Sequence, residues 1–407
     1  MKKDKLLLGS IYFLFHAALM VYKLFHPLWF YENGKLEYFA IGYAFMAIGG
    51  IISRTYFLLF ANSMRISLLL SLSSVLFAGG ILLSSITTSV WFSILGGLLA
   101  GLSSSTFMLV MYRISHMKQT KENLIVDVPQ IINYAKFLGT IVATILVVVC
   151  NIGIPKMLFG LGISAIVASI SCLPLLFINK KYEKFDGQEL LHKDPFTISK
   201  LKTMVKEKPW LVCTMVALNL LGGIFIKMVL PFFPVMMMEK GFRLLDIGAT
   251  TAFSYLLGGA SHYLIHKLGL SRYKIKGFVL ANLLMVGISV ALGYMDNPIW
   301  ISALIMMHFM SYGAYGIYCK IIEYELIPRN QIPIYKLFGE NLFLTGNILG
   351  IVIGSITYLN LTIEHTLKTS AVLILSATLA TIYFIYKHMM QTYTEYLIDQ
   401  EKKRKRS

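Results

Sequence analysis

Charge is what this sequence has least of. Asp, Glu, Lys and Arg make up 14% of its 407 residues, against roughly a quarter in a soluble globular domain. Hydrophobic residues make up 57%, and the mean hydropathy is +0.69. Intrinsic disorder, which needs low hydrophobicity and high charge, is excluded, and so is a single soluble core. Cysteine is sparse too. Cys150, Cys172, Cys213 and Cys319 stand apart inside apolar segments, with no CxxC or Cys/His spacing. Neither a disulfide framework nor a zinc site is indicated. There is no GxxxxGK[ST] run to cradle a nucleotide triphosphate, which excludes P-loop ATP hydrolysis by this chain. No cofactor or metal is implied. Acidic residues number 20 against 37 basic ones, and no loop gathers carboxylates, or histidines, as a membrane-embedded lipid or glycosyl transferase would require.

What is present is a series of apolar runs of about 20 residues, the length that carries a helix across a bilayer. We read twelve: 6-26, 38-60, 66-86, 90-113, 128-150, 155-178, 210-232, 246-266, 274-294, 298-320, 336-358 and 367-388. The first follows Lys2, Lys3 and Lys5 without a small-residue cleavage site, so it is expected to be retained as a span and not removed as a signal peptide. One long polar interruption, 179-209, carries Lys180, Lys181, Lys184, Lys193, Lys200, Lys202, Lys206 and Lys208. It separates an N-terminal six-helix bundle, 1-178, from a C-terminal bundle with a basic tail, 210-407. With both termini in the cytoplasm, 28 of the 37 basic residues fall on the inner side and 5 in outer loops, as the positive-inside rule requires. The net charge of +17 therefore reports topology and contact with anionic headgroups, not nucleic acid, for which no binding module is visible.

The two halves echo each other. Residues 27-34 read PLWFYENG and residues 234-241 read PVMMMEKG, so Pro, Glu and Gly recur at an offset of 207. Arg113 and Lys320 stand 207 apart, as do Gly139 and Gly346. Six plus six spans in the same orientation make a parallel repeat.

Twelve spans, cytoplasmic termini, a long basic central loop and a parallel repeat resemble the major facilitator superfamily. The resemblance covers the whole chain, but its motifs are degenerate. Where the family carries GxxxDRxGR/K between spans 2 and 3, this chain has Tyr56 to Arg65, with Phe60 in place of the Asp and only Arg65 matching. The second-half loop keeps Lys267 and Gly269, with His266 in place of the Asp. The resemblance implies an all-α membrane protein that works as a secondary transporter by alternating access. Export of a small organic compound comes ahead of uptake, with uptake of an anionic or zwitterionic metabolite, or a non-transporting membrane sensor, as the alternatives. Low Glu with high Lys and Ile fits a bacterial plasma membrane, and the chain is expected to act as a monomer.

The resemblance places spans 1, 4, 7 and 10 around a central cavity. On span 1, Tyr12, His16 and Lys23 share a helical face; on span 7, Asn219 and Lys227 do so with Gly223. Span 10 offers the stripe His308, Tyr312, Tyr315, Cys319 and Glu323. An ionisable side chain at bilayer depth costs at least about 2.5 kcal/mol, so each is a functional candidate. Arg113 and Lys320, at the cytoplasmic ends of spans 4 and 10, read either as end-of-helix cations that snorkel to the inner surface or as an inner gate or anion-attracting mouth, and Arg54 needs a carbonyl, a lipid phosphate or water. Lys136 on span 5 and Glu340 on span 11, with Asn347 on the same face, are expected to pair across the two halves. Glu323 and Glu340 are the carboxylates placed to couple protons. Pro27, Pro231 and Pro234 are expected to close spans 1 and 7 on the outer side.

Overall fold

The computed structural model describes the backbone of residues 2-60, 66-116, 121-177, 198-327 and 332-406; side chains are described mainly over 13-55, 71-106, 132-167, 202-327 and 335-396. Tyr12, Arg113, Cys172, the 56-65 loop and the first part of the linker lie outside the described side chains. The described chain is helical, with no strand. Its helices are α1 (Lys2–Glu32), α2 (Leu36–Phe60), α3 (Ile66–Ile86), α4 (Val90–His116), α5 (Lys121–Val148), α6 (Ile154–Phe177), α7 (Ile198–Glu207), α8 (Pro209–Met215), α9 (Gly222–Val229), α10 (Phe233–Glu239), α11 (Leu244–Lys267), α12 (Lys274–Tyr294), α13 (Pro298–Leu326), α14 (Ile332–Asn360) and α15 (Ile363–Arg406). A π-helical turn, Val216–Leu221, joins α8 to α9, and a 3₁₀ turn, Leu230–Phe232, joins α9 to α10. The twelve apolar runs therefore fall on helices or on this one interrupted helical run. Among the described residues, six helical stretches are long and apolar enough to cross a membrane, and four shorter ones are apolar.

The packing partners repeat after the linker. Before it, α2 packs on α4, α3 on α4 and α6, and α1 on α5; after it, α11 packs on α13, α12 on α13 and α15, and α9 on α14. The two sets meet where α5 lies against α11 and α2 against α14. The glycines 207 apart make corresponding approaches. A side chain on Gly139 would run into Ala17 of α1, and one on Gly346 into Gly223 and the Leu220 carbonyl of the interrupted run. Backbone cannot yield as a flexible side chain does, so Gly346→Ala is expected to cost about 1–3 kcal/mol. Denaturant unfolding in detergent would show it as a lower midpoint with a folded starting state.

The PLWFYENG and PVMMMEKG echo is structural as well. Gly34 and Gly241 both take a left-handed backbone, φ +63 and +80. Gly34 N–H donates to Tyr31 O at 2.9 Å and Lys35 N–H to Phe30 O at 2.9 Å; Gly241 N–H donates to Met238 O at 3.0 Å and Phe242 N–H to Met237 O at 3.0 Å. Each is a Schellman cap, which glycine supplies without a Cβ penalty. One expectation fails nearby. Pro27 does not close span 1, because α1 runs through it to Glu32. Leu28 and Phe30 beyond it are fully buried, and their packing outweighs the lost hydrogen bond. Pro231 and Pro234 do mark a break, the 3₁₀ turn and the start of α10.

Candidate functional site

Three lysines converge where the two helix sets meet. Lys23 comes from α1, Lys136 from α5 and Lys227 from α9, and Lys136 lies within electrostatic reach of both others. Two of them have partners among the tyrosines of the opposite set. Lys227 Nζ donates to the Tyr43 hydroxyl on α2 at 2.9 Å and sits 5.2 Å from its ring centre. Lys136 Nζ lies 5.0 Å from the ring centre of Tyr255 on α11. An ammonium over an aromatic face is stabilised by the ring quadrupole, more so when desolvated. Tyr312 on α13 stands in reach of Tyr43, and Tyr255 in reach of both. All six side chains are half-buried. Among the described residues, no carboxylate pairs with any of the three lysines.

Two of these lysines share a local context. Lys23 precedes Pro27, and Lys227 precedes Pro231, by four residues. A proline has no N–H, so neither lysine carbonyl receives its ordinary helical donor. Both ammonium-bearing residues therefore sit where the helix is already perturbed.

A second polar group surrounds the π-helical turn. Such turns insert one residue and are frequent at functional sites. Asn219, within the turn, donates from Nδ2 to Met215 O at 3.1 Å and to Glu323 Oε1 on α13 at 2.6 Å. Tyr315 donates its hydroxyl to Leu218 O at 2.7 Å, satisfying a carbonyl of the turn. Gly222 permits this approach, since a Cβ there would meet the Tyr315 hydroxyl.

The third feature is an ion pair. Arg54 Nη1 on α2 lies 3.4 Å from Glu340 Oε2 and 3.2 Å from Glu340 O on α14. This corrects the expected Lys136–Glu340 pair: Glu340 lies on the α2–α14 seam, whereas Lys136 lies on the α5–α11 seam, over Tyr255. Arg54 thus has a protein partner. At the other end of the same interface, aromatic rings close the contact. Phe39 of α2 meets Phe232 edge-on, with centres 6.5 Å apart, and Phe232 stacks on Tyr358 at 5.1 Å.

The span 10 stripe divides in the structure. Tyr312 stands with Tyr43 and Tyr255 at the interface, whereas Glu323 accepts from Asn219 within its own helix set. Tyr315 and His308 are buried, the first between Phe225 and Phe278 and the second edge-on to Phe233 at 5.3 Å. Cys319 is also buried. His16 is buried within reach of Lys136 and Lys23. Asn347 is buried on α14, close to where Gly223 approaches, and Lys320 is exposed. Sequence reasoning missed Tyr43 and Tyr255. A tyrosine in an apolar helix carries no mark that distinguishes a lysine partner from a packing residue.

Comparison with known proteins adds the fold. A sequence search finds no matching family model and no matching curated protein. Among solved structures, the chain is similar to the nucleoside transporter NupG, solved as a point mutant, with a TM-score of 0.71 and 13% identity over 93% of this chain and 99% of that one. At that identity the similarity speaks for the fold.

Proposed function

We propose that this chain is a secondary active transporter of the major facilitator type, moving a small organic solute by alternating access. The observation that supports it most is the interface between the helix sets. Its ionisable groups, Lys136, Lys227, Arg54 and Glu340, find their partners across that interface, where a rocking motion of the halves would make and break them. The fold shared with a nucleoside transporter supports the same reading. So do the repeated packing partners, which fit two six-helix bundles, 1-178 and 210-407, joined by the basic linker 179-209. The excess of Lys and Arg between alternate spans supports cytoplasmic termini and contact of the linker and tail with anionic headgroups. The membrane is a bacterial plasma membrane in this reading, and the monomer holds both halves of the path. Export is the favoured direction, on the Met- and aromatic-rich spans that suit a loosely specific cavity.

Counterflow of labelled solutes through protein reconstituted in liposomes tests the proposal. Exchange of at least one solute is expected, and no flux of any solute in either direction would overturn it. Glu323, held by Asn219 beside the π-helical turn, is the carboxylate we assign to proton coupling. Glu323→Gln is expected to keep counterflow while losing accumulation driven by a pH gradient, because exchange needs no net proton movement. Equal gradient-driven accumulation in variant and parent would remove Glu323 from that role.

A further inference from the structure

We infer that the group of Lys23, Lys136 and Lys227 with Tyr43, Tyr255 and Tyr312 is the solute site and that it takes a small organic dianion, an aromatic or apolar body bearing a phosphomonoester. This inference rests on the transporter reading and adds the substrate class to it.

Three observations carry it. First, the charges are of one sign. An ammonium at bilayer depth is costly, and buried charges are ordinarily paired. Here the nearest partners of Lys136 and Lys227 are tyrosines, which hold an ammonium without neutralising it. A ligand with two negative charges supplies what the protein leaves out. Second, the three cations come from three helices on both sides of the interface, and each half also contributes a tyrosine. A ligand between them would draw α1 and α5 toward α9, so binding would act on the contact that has to move. Third, the cations are all lysines. Lysine binds phosphate as a point charge with three rotatable donors, so lysines on three helices can reach a tetrahedral dianion from different sides, whereas arginine favours a planar, bidentate contact with carboxylate or phosphate alike. The one arginine described in the interface, Arg54, is already held by Glu340. Tyr43, Tyr255 and Tyr312 offer ring faces and hydroxyls for the organic part.

The test uses the full chain in phosphatidylcholine nanodiscs, where the headgroups carry no net charge. Thermal unfolding is followed with phenyl phosphate, benzoate, benzylamine and uridine. A ligand that binds only the native state raises the midpoint by mass action. Phenyl phosphate is expected to raise it most, benzoate less, and benzylamine and uridine not at all. Lys23→Gln, Lys136→Gln and Lys227→Gln are each expected to weaken phenyl phosphate binding about ten-fold or more, as loss of a hydrogen bond from a charged group does. Their midpoints without ligand are expected to hold or rise, because each removes a charge that lacks a counter-ion. A purely structural lysine would give the opposite sign, and the Lys→Arg variants should retain part of the binding. If a Gln variant does not fold, the parent still decides the matter. Phenyl phosphate is expected to protect the three lysines from amine-reactive labelling, read by mass spectrometry.

Stabilisation by benzylamine or uridine with none by phenyl phosphate would overturn the inference, as would the absence of protection. Added phosphatidylglycerol that protects the lysines while phenyl phosphate does not would assign the site to a lipid headgroup and also overturn it. The liposome experiment keeps the two readings apart. Counterflow of a neutral solute without dianion binding leaves the transporter standing and removes the substrate class. Dianion binding without any flux does the reverse.

Discussion

Transport is expected to stop when cysteines placed at residues 39 and 232 are joined by a short bifunctional methanethiosulfonate, and to resume on reduction. Phe39 and Phe232 belong to different helix sets and meet edge-on, with ring centres 6.5 Å apart. Around them Trp29, Phe30, Phe233 and Met236 are buried in one continuous apolar cluster. If the halves rock, this is the contact that has to open at the end distant from the chain termini. A covalent bond there blocks one side of the cycle, and alternating access with one side blocked has no net flux. The background is a variant whose native cysteines are replaced, since Cys150, Cys213 and Cys319 are all free thiols. Counterflow measured before cross-linking, after it and after reduction gives the answer in one preparation. Undiminished exchange in the cross-linked protein would contradict rocking about this seam.

The second large effect is expected at Arg54 and Glu340, which link α2 to α14. Glu340→Gln leaves the guanidinium with the Glu340 backbone carbonyl and no counter-charge. Removing one partner of a fully buried pair costs about 3–5 kcal/mol, and an exposed pair contributes about 0–1 kcal/mol. With side-chain exposures of 16% for Arg54 and 36% for Glu340, this pair falls between those limits, at about 1–2 kcal/mol. That shifts a two-state equilibrium about ten-fold, because the pair contributes only while the seam is closed. The expected outcome is a counterflow rate about ten-fold lower in Glu340→Gln and in Arg54→Gln, with partial recovery in the charge-swapped pair Arg54→Glu with Glu340→Arg. Recovery separates a pairing role from a role in either side chain alone. If the swap is as slow as the single variants while all remain folded, the pair is not what sets the rate.

These two contacts differ in how far the sequence foretold them. Arg54 and Glu340 were each visible as ionisable residues in apolar runs, because insertion cost makes such residues conspicuous. Their pairing was not, because the partner of Glu340 is 286 positions away and depends on which helices form the seam. Helical spacing places Lys136 and Glu340 on their own helix faces but says nothing of which face meets which. Phe39 and Phe232 carried no signal at all, since phenylalanine is ordinary in a membrane-length helix. The interruption of span 7 was half legible: Pro231 and Pro234 announce the 3₁₀ turn, while the π-helical turn at Val216–Leu221 has no proline or glycine within it.

The sequence by itself determined the helical segments, because long apolar runs leave the backbone no partner but itself. It also determined the matching caps at Gly34 and Gly241, since a left-handed helix end favours glycine whatever surrounds it. Only the tertiary structure decided that Lys23, Lys136 and Lys227 gather at one place, that tyrosines from the opposite set hold two of them, and that Glu340 meets Arg54. Those choices depend on the rotation and packing of whole helices. A pattern local to one helix fixes which residues share a face, and the fit of many helices together fixes what that face meets.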